Sequence, residues 1–406
     1  MILAGLDVGS HRVSVAAGRV NGGGGLEILG LGSAPSRGVR GGAIVHLDAA
    51  AESIEAALHE AETSCGFPLE RIAVGIGDDT VRSFNGRGVV PVMGKEQEVT
   101  STDRRRALQA AQALGIPSDR EIIHMIPLEF VLDGQPGIQE PEGMWGVQLE
   151  AEVHIVSGLR SVVRNLQKAL DRVNARADRF IFTPLAAARA VLHPDEERWG
   201  VAVVDLGAQT TGIAVVQDNI LRDTAILGVG SEQVTHDLAI GLRTPLVEAE
   251  EMKRRIGLSG DNGHRSESLE VTGVGEEARR SVAPSLLTSI IGPRIEEILG
   301  LVVRQIQRSA AMPRLQGGIV LTGGGAELAG LCRHAQRILQ SPVRIGRPSG
   351  FSVPAGAGLD ASWSCAVGLL QELASEREDD AGRRKPPLLL RVARPLKDFV
   401  KARLAL

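Results

Sequence analysis

Apolar runs at the start of the chain predict a meander of three strands, then a helix and a fourth strand. The runs are rich in β-branched residues, and glycines or polar residues separate them. The predicted strands cover residues 2–8, 13–20, 26–33 and 72–76. After the third run, residues 35–42 are rich in proline and glycine and predict a loop. Apolar side chains then recur at helical spacing from Ile54 to Ala61, which predicts one buried helix face.

The same order of elements returns near residue 200, as a coarse internal repeat. Strand-like runs are again followed by a glycine turn and a helical segment. These elements occupy residues 200–206, 211–216, 220–227, 228–230 and 231–241. In both halves the first strand ends in an Asp-x-Gly sequence, at Asp7 and at Asp205. The repeat predicts an α/β fold of two homologous lobes.

The region between the two repeats predicts a small inserted α/β unit, because residues 81–157 have no counterpart in the second half. Strand-like runs at residues 89–92, 122–126 and 147–156 accompany a helical pattern at 102–114. Beyond the second repeat, helical patterns, a strand and a charged linker follow. They cover residues 248–257, 284–311 with a break at Gly292-Pro293, 315–322 and 376–387.

Composition and charge narrow the functional classes. The 406 residues suffice for two or more domains, and a formal net charge of −4 argues against a nucleic-acid-binding protein. The three cysteines lie far apart, so we expect buried thiols in a reducing cytoplasm and neither a disulfide nor a metal site. We expect no signal peptide and no membrane span. The charge is unevenly distributed, because residues 381–406 contain eight basic residues and one acid. This segment has a net charge of +7, which leaves −11 for the rest of the chain. Such a basic segment indicates an acidic partner for it.

The two Asp-x-Gly turns carry the first chemical signal. An aspartate ends a buried strand, a glycine permits a sharp turn, and the N–H groups of the turn can then face a phosphate. Two such carboxylates, Asp7 and Asp205, could hold hydrated Mg2+ across a cleft. Each turn alone is typical of a plain hairpin, but two copies in matching context favour a phosphate site.

A third glycine-rich turn follows the strand that ends at Thr322. Gly323, Gly324 and Gly325 precede a predicted helix from Glu327, and bare backbone at such a junction lets a nucleotide approach closely. A turn without a ligand is the alternative. The sequence contains neither a P-loop motif, nor Gly-x-Gly-x-x-Gly after a strand, nor His-Glu-x-x-His. P-loop, Rossmann and zincin functions therefore have no support.

Taken together, these motifs resemble the five-motif pattern of the actin/Hsp70/sugar-kinase superfamily, and within it the FtsA family of bacterial cell-division proteins. The likeness covers nearly the whole chain. The carrying segments are residues 35–38 with Gly41-Gly42, 124–130, 152–156, 318–325 and 343–346. The segment from His124 to Phe130 is the most specific, because it lies in the insertion that distinguishes this family from actin and the chaperones.

The resemblance implies an actin-like ATPase fold, with two duplicated lobes around a nucleotide cleft, an inserted family-specific subdomain and a C-terminal amphipathic helix. The implied domains are residues 1–80 and 159–195 (first lobe core), 81–158 (insertion), 196–230 and 313–375 (second lobe core), 231–312 (second lobe upper subdomain), 376–390 (linker) and 391–406 (membrane-targeting helix).

The resemblance also implies ATP and Mg2+ as ligands, and a role for each motif residue. Asp7 and Asp205 would hold the metal and be the residues nearest catalysis. The implied nucleotide-binding residues are Gly9, Ser10, Gly207, Thr210, Thr211, Glu250, Lys253, Gly323, Gly324 and Gly325. Glu250 and Lys253 would hold ribose and adenine, although a solvated helix face explains such a charged pair equally well.

The family binds the C-terminal peptide of FtsZ, a tubulin-like polymer, and the resemblance places that site on the helix containing Arg294 and Glu297. Arg294 could pair with a peptide carboxylate. Other division proteins, and self-association into filaments, are further implied partners. The implied location is the cytoplasmic face of the membrane at the division septum.

The C-terminal segment has its own amphipathic pattern. At helical spacing, apolar residues fall on one side and basic residues opposite, and Arg403 lies within the apolar arc. The predicted membrane-contacting residues are Leu396, Lys397, Phe399, Val400, Lys401 and Leu404. Such a helix is too short to span a bilayer but can lie in an anionic interface. Docking on the protein's own body is the alternative.

Two other functions fit the same superfamily: a small-molecule kinase, which would need a catalytic base that we do not find, and a type IV pilus-assembly relative, which would usually lack the basic amphipathic end. The chain also departs from its family at the second acidic turn. Ala208 and Gln209 replace glycines, and Gly212 replaces an aspartate. We therefore expect ATP binding with slow or undetectable hydrolysis.

Overall fold

The fold is described from a computed structural model. Its described residues are 1–22, 25–112, 115–258, 269–273, 279–309, 315–353 and 359–380. The predicted membrane helix, residues 391–406, and most of the predicted linker lie outside them. Among the helices described, none is long and apolar enough to cross a membrane.

The first half of the chain alternates strands and helices and is interrupted by the insertion. Its first elements are β1 (Leu3–Val8), β2 (Arg12–Val20), β3 (Leu26–Pro35), β4 (Val39–Arg40), β5 (Ala43–Ile44), α1 (Leu47–Cys65) and β6 (Arg71–Ile76). The insertion contributes β7 (Arg82–Pro91), a 3-10 turn (Lys95–Gln97), α2 (Ser101–Gln112), β8 (Arg120–Leu132), β9 (Gln135–Ile138) and β10 (Gln148–Leu159). The first lobe resumes with α3 (Arg160–Arg172), β11 (Ala177–Phe182), α4 (Thr183–Val191) and α5 (Pro194–Trp199).

The second half repeats the opening pattern. Its elements are β12 (Val201–Leu206), β13 (Thr211–Gln217), β14 (Ile220–Leu227), α6 (Glu232–Leu242), α7 (Leu246–Ile256), β15 (Leu269–Thr272), β16 (Arg279–Val282) and α8 (Pro284–Arg308). After these come β17 (Gly318–Thr322), a 3-10 turn (Gly324–Glu327), α9 (Leu331–Leu339), β18 (Val343–Ile345), β19 (Phe351–Ser352), a 3-10 turn (Ala361–Trp363) and α10 (Ser364–Asp380).

The two lobes contain sheets of the same topology, which confirms the predicted duplication. Within the described residues, the first sheet has the order β11-β6-β1-β2-β3-β19 and the second has the order β14-β13-β12-β17-β18. In each, an antiparallel meander (β1-β2-β3 or β12-β13-β14) is extended on its other side by parallel strands. The first strand of each meander is therefore central, and its carboxyl end faces the other lobe.

Two helices, α4 and α10, lie between the lobes. α10 packs on α4 and on β1, and α4 also contacts β12 and β13. The contacts of α10 with β1 and with α4 both need glycine. A side chain at Gly5 of β1 would overlap Ala366 O, and a side chain at Gly368 of α10 would overlap Ala186 O. The assignment of residue ranges to subdomains stays a prediction, but two elements pack on a different lobe from the one expected. α10 and β19 pack on the first lobe, although residues 313–375 were assigned to the second lobe core.

The predicted break in the long helix of the second lobe is wrong, because α8 runs unbroken through Pro293. One face of α8 is buried on both sides of this proline, at Leu287, Ile291, Ile295 and Ile298. Burial of that face stabilises the continuous helix despite the cost of an internal proline. In addition, Gly324 and Gly325 form a 3-10 turn together with Ala326 and Glu327, and the helix predicted from Glu327 begins only at Leu331.

The insertion forms a sheet of its own, with the order β7-β10-β8-β9 among the described strands. A buried histidine of β10 attaches this sheet to the edge strand β14 of the second lobe. His154 Nδ1 bonds to Asn85 Oδ1 at 2.6 Å, and Nε2 bonds to Thr224 Oγ1 at 2.8 Å. Ser83 Oγ also donates to Thr224 O. The insertion is therefore joined by polar contacts to the second lobe as well as by the chain to the first.

This contact predicts that stability falls as pH decreases. Burial lowers the pKa of His154 from 6.5 to about 4. Between pH 6.5 and 4, this histidine is therefore protonated in the unfolded chain but still neutral in the folded protein. The contribution of His154 to the free energy of unfolding is then fully present above pH 6.5 and is lost as pH falls towards 4, by about 3 kcal/mol in full. Chemical denaturation between pH 4 and 8 measures it. His154→Gln should be less stable at pH 7 but less sensitive to pH, and parallel curves for the two proteins would contradict the prediction.

Candidate nucleotide site

A cavity of about 510 Å3 lies between the two lobes. Its walls include the two Asp-x-Gly turns, the triple glycine and part of α7. Asp7 and Asp205 hold equivalent positions in their sheets, since Asp7 pairs with Ser14 and Asp205 pairs with Gly212 across matching hairpins. The internal repeat thus brings two carboxylates to one cavity from opposite sides.

The electrostatics of these carboxylates suit a cation. Burial raises the pKa of Asp7 to about 7, the charge of Asp205 adds to the shift and Arg12 opposes it. Burial likewise raises the pKa of Asp205, and the thiol of Cys365 donates to its Oδ2 at 3.1 Å. A divalent cation would relieve the cost of two desolvated carboxylates, and oxygen donors are the ligands that Mg2+ prefers. The residues present therefore fit the metal that the sequence predicted.

The triple glycine is shaped by its closeness to the second acidic turn. Gly323 has φ of +83°, and a side chain there would collide with Asp205 Oδ1 and lie 2.7 Å from Leu206 O. By contrast, a side chain at Gly324 would meet only Ser362 Cβ, at 3.7 Å. Thr322 holds the end of β17 in place, because its hydroxyl bonds to Gly346 O at 2.9 Å and to Ser364 Oγ at 2.6 Å.

The charged pair on α7 lines the cavity and is not a solvated helix face. Lys253 is buried, and its Nζ lies 2.6 Å from Glu250 Oε2 and 2.8 Å from Thr235 Oγ1. Although burial opposes it, hydrogen bonds from Lys253 and Thr235 lower the pKa of Glu250 to about 2. Glu250 is therefore ionised and held in place, with Arg254 Nε at 2.8 Å on its other oxygen.

The structure brings nearly all the residues predicted for nucleotide binding to this cavity. Those that line it are Asp7, Gly9, Ser10, Asp205, Gly207, Thr210, Glu250, Lys253, Gly323, Gly324 and Gly325. Thr211 is the exception. It begins β13, is buried, and its hydroxyl donates to Val229 O at 2.7 Å, so it supports the turn instead of facing the cavity.

Sequence reasoning missed Arg12, a cation on the cavity wall. Its guanidinium donates to Ser14 Oγ at 2.9 Å and to Ser362 Oγ at 2.8 Å, and it lies 4.6 Å from the centre of the Trp363 ring. A basic residue two positions after Ser10 was a usable signal, because a cation beside a phosphate turn adds an attractive charge. Its partner Ser362 is 350 residues away in the sequence and could not be foreseen.

The departures at the second acidic turn also have a structural setting. Ala208 and Gln209 line the cavity. Gly212 lies beside Asp205 across the hairpin, and a Cβ built there would lie 2.8 Å from Pro184 Cγ and 3.6 Å from Asp205 Cβ. The ring of Pro184 therefore lies too close for a Cβ at position 212 unless it shifts.

Arg294 and Glu297, predicted to bind a partner peptide, lie on α8 and are not among the residues lining the cavity. The guanidinium of Arg294 bonds twice to Asp237, at 2.6 and 3.0 Å, and once to Glu297, at 2.5 Å. The side chain is 29% exposed. Asp237 and Glu297 hold it in a fixed direction, and it retains a solvent-facing surface.

Similarity to solved structures defines the class of protein. The chain shares its fold with the PilM-PilN type IV pilus biogenesis complex (TM-score 0.65, 18% identity, 91% of this chain and 97% of that one). It also resembles MreB5 of Spiroplasma citri bound to ADP (TM-score 0.59, 13% identity, 94% and 98% covered). This is an actin-like ATPase fold, as predicted.

Similarity of sequence goes further than the fold. The family profile "Cell division protein FtsA" matches residues 202–368, and "SHS2 domain inserted in FTSA" matches residues 79–157. The cell division protein FtsA of Neisseria meningitidis serogroup B is 38% identical, with 90% of this chain and 88% of that one covered. That of Bacillus subtilis is 35% identical, with 90% and 82% covered. The chain therefore belongs to the FtsA family of cell-division proteins.

The two neighbouring glycines provide a matched test of the site. Gly323→Ala should lower the affinity for ATP by at least tenfold, because the new methyl group collides with Asp205 and the backbone keeps a left-handed conformation. Gly324→Ala should lower the affinity less than Gly323→Ala does, since its methyl group makes only an ordinary contact with protein atoms and can affect only the nucleotide itself. Equilibrium titration with a fluorescent ATP analogue measures both. Equal affinities for the two variants would contradict the assignment of Gly323.

Proposed function

We propose that this protein binds ATP, self-associates into filaments and tethers FtsZ polymers to the cytoplasmic face of the membrane at the division septum. The single observation that carries the proposal is the convergence of both acidic turns and the triple glycine on one cavity, in a chain of the FtsA family. Membership over about nine tenths of the chain supports a role in division. It weighs against the pilus and small-molecule kinase alternatives.

Each wall of the cavity has a proposed task. Backbone N–H groups near Gly9 and Gly207 face the phosphates, and Arg12 adds positive charge. Glu250 and Lys253 bind the ribose and adenine, against the bare backbone of Gly323–Gly325. Asp7 and Asp205 hold Mg2+, which would neutralise phosphate charge when bound. MreB5, whose fold this chain shares, was solved bound to ADP, which supports a nucleotide in this position.

Hydrolysis of the bound ATP should be very slow or undetectable. Attack on the terminal phosphate requires a positioned water, and the position equivalent to a second aspartate is Gly212, packed against Pro184. A single-turnover assay with radiolabelled ATP, run beside equilibrium binding, measures this. Asp205→Asn provides the background rate. Turnover comparable to that of an active chaperone ATPase would contradict the prediction, as would absence of binding at millimolar ATP.

Arg294 should contribute to binding of the FtsZ C-terminal peptide. Its guanidinium is oriented by Asp237 and can donate to a peptide carboxylate, an interaction worth about 1.5–3 kcal/mol. Arg294→Ala should therefore weaken peptide affinity about tenfold or more in a fluorescence anisotropy titration. Arg304→Ala, an exposed arginine on the same helix, is the matched control and should have no effect. Equal affinities for both variants would remove Arg294 from the site.

The C-terminal segment should anchor the protein to anionic membranes. Each basic residue near such a surface contributes about 1 kcal/mol, and the apolar side chains add burial. The full chain should co-sediment with vesicles containing anionic lipid and recruit FtsZ polymers to them, whereas a chain ending at residue 380 should remain in the supernatant. Phe399→Asp in the full chain tests the apolar side separately. Co-sedimentation of the shortened chain to the same extent would overturn the proposed anchor.

A further inference from the structure

Gln209 connects the two lobes directly at the phosphate end of the cavity. Its side-chain Oε1 accepts a hydrogen bond from the backbone N–H of Gly41 at 2.6 Å. Gln209 belongs to the turn between β12 and β13 of the second lobe, and Gly41 belongs to the loop between β4 and β5 of the first. The two residues are 168 positions apart in the sequence. The contact exists because a side chain stands where the family pattern has glycine.

The loop that donates this hydrogen bond is itself held in the first lobe by two further hydrogen bonds. Gly41 O accepts from Asp79 N at 3.2 Å, and Gly42 N donates to Ser10 Oγ at 3.0 Å. Gly41 and Gly42 both have positive φ, a conformation that glycine adopts without strain, and the Gly41 N–H is directed across the cleft to Gln209. Gln209 is therefore connected to the first acidic turn through Gly41, Gly42 and Ser10.

The other end of the contact is attached equally well to the second lobe. The turn is closed by Gly207 N donating to Thr210 O at 3.0 Å. It is held to the start of α6 by two more backbone bonds, from Ser231 N to Gly207 O at 2.9 Å and from Glu232 N to Ala208 O at 2.8 Å. Gln209 thus projects from a turn that backbone hydrogen bonds hold to the rest of the second lobe, so it moves with that lobe.

We propose that Gln209 is a positioning residue that latches the cleft closed at the phosphate end of the nucleotide site. The latch links the two phosphate-facing turns through Gly41 and Ser10 and therefore acts before any nucleotide is bound. With ATP in the cavity, the same bond opposes separation of the lobes and slows release of the nucleotide. This second consequence rests on the proposed ATP site, whereas the first does not.

The chain supplies a matched control for this hydrogen bond. Gln233 Oε1 accepts from the backbone N–H of Gly230 at 2.9 Å, which is the same kind of bond formed within the second lobe. Gln209→Leu and Gln233→Leu each remove one amide acceptor from one glycine N–H. Only the first of these bonds crosses the cleft. Gln209→Glu keeps an oxygen acceptor for Gly41 and so should preserve the latch in the protein without nucleotide.

Hydrogen exchange in the full-length protein without nucleotide tests the latch directly. Gln209→Leu should accelerate exchange in a peptide covering residues 38–44, in the opposite lobe from the substitution. Gln233→Leu should leave that peptide unchanged and accelerate exchange around Gly230, and Gln209→Glu should behave as the wild type does at residues 38–44. Unchanged exchange at residues 38–44 in Gln209→Leu would overturn the proposal.

Release of a fluorescent ATP analogue, followed by stopped flow with excess unlabelled ATP, tests the second consequence. Loss of one hydrogen bond predicts release about three to ten times faster from Gln209→Leu and an unchanged rate from Gln233→Leu. Equal rates for Gln209→Leu and the wild type would overturn the effect on release. If no protein binds the analogue, the proposed ATP site fails, and the exchange result still decides whether the latch exists.

Discussion

The packing of α10 against α4 and β1 is the contact on which the rest of the structure depends. It is possible only because Gly5 and Gly368 allow backbone to approach backbone. From this position α10 presents Cys365 to Asp205, and α4 contacts both central sheets. In the part of the chain that the structure describes, the apolar core therefore continues from one lobe into the other beside α4, and the acidic turns lie next to it. A larger residue at either glycine would displace the helix and both turns with it.

The rims of the cleft differ from this apolar centre. The insertion meets the second lobe through His154, Asn85 and Thr224, and the phosphate-side loops meet through Gln209 and Gly41. Polar contacts of this kind can exchange their partners for water at small net cost, whereas separated apolar surfaces cannot. The two lobes are therefore joined by apolar packing at α4 and α10 and by polar contacts at the rims of the cleft.

Features set by local chemistry could be predicted from the sequence, and features set by distant contacts could not. The repeat, the acidic turns and the triple glycine followed from strand patterns and from the need for bare backbone, and the cavity contains them. The direction of Thr211 towards Val229 and the continuity of α8 through Pro293 depend on packing partners elsewhere in the chain. The same is true of the association of α10 with the first lobe. A single sequence does not specify such partners.

The contact between Gly212 and Pro184 has a consequence for any redesign of the second acidic turn. A Cβ at position 212 would lie 2.8 Å from the proline ring, which is held at the start of α4. An aspartate at that position would therefore displace this ring, and the single change would be destabilising. Redesign of the second acidic turn therefore has to treat positions 184 and 212 as a pair, although they lie far apart in the sequence.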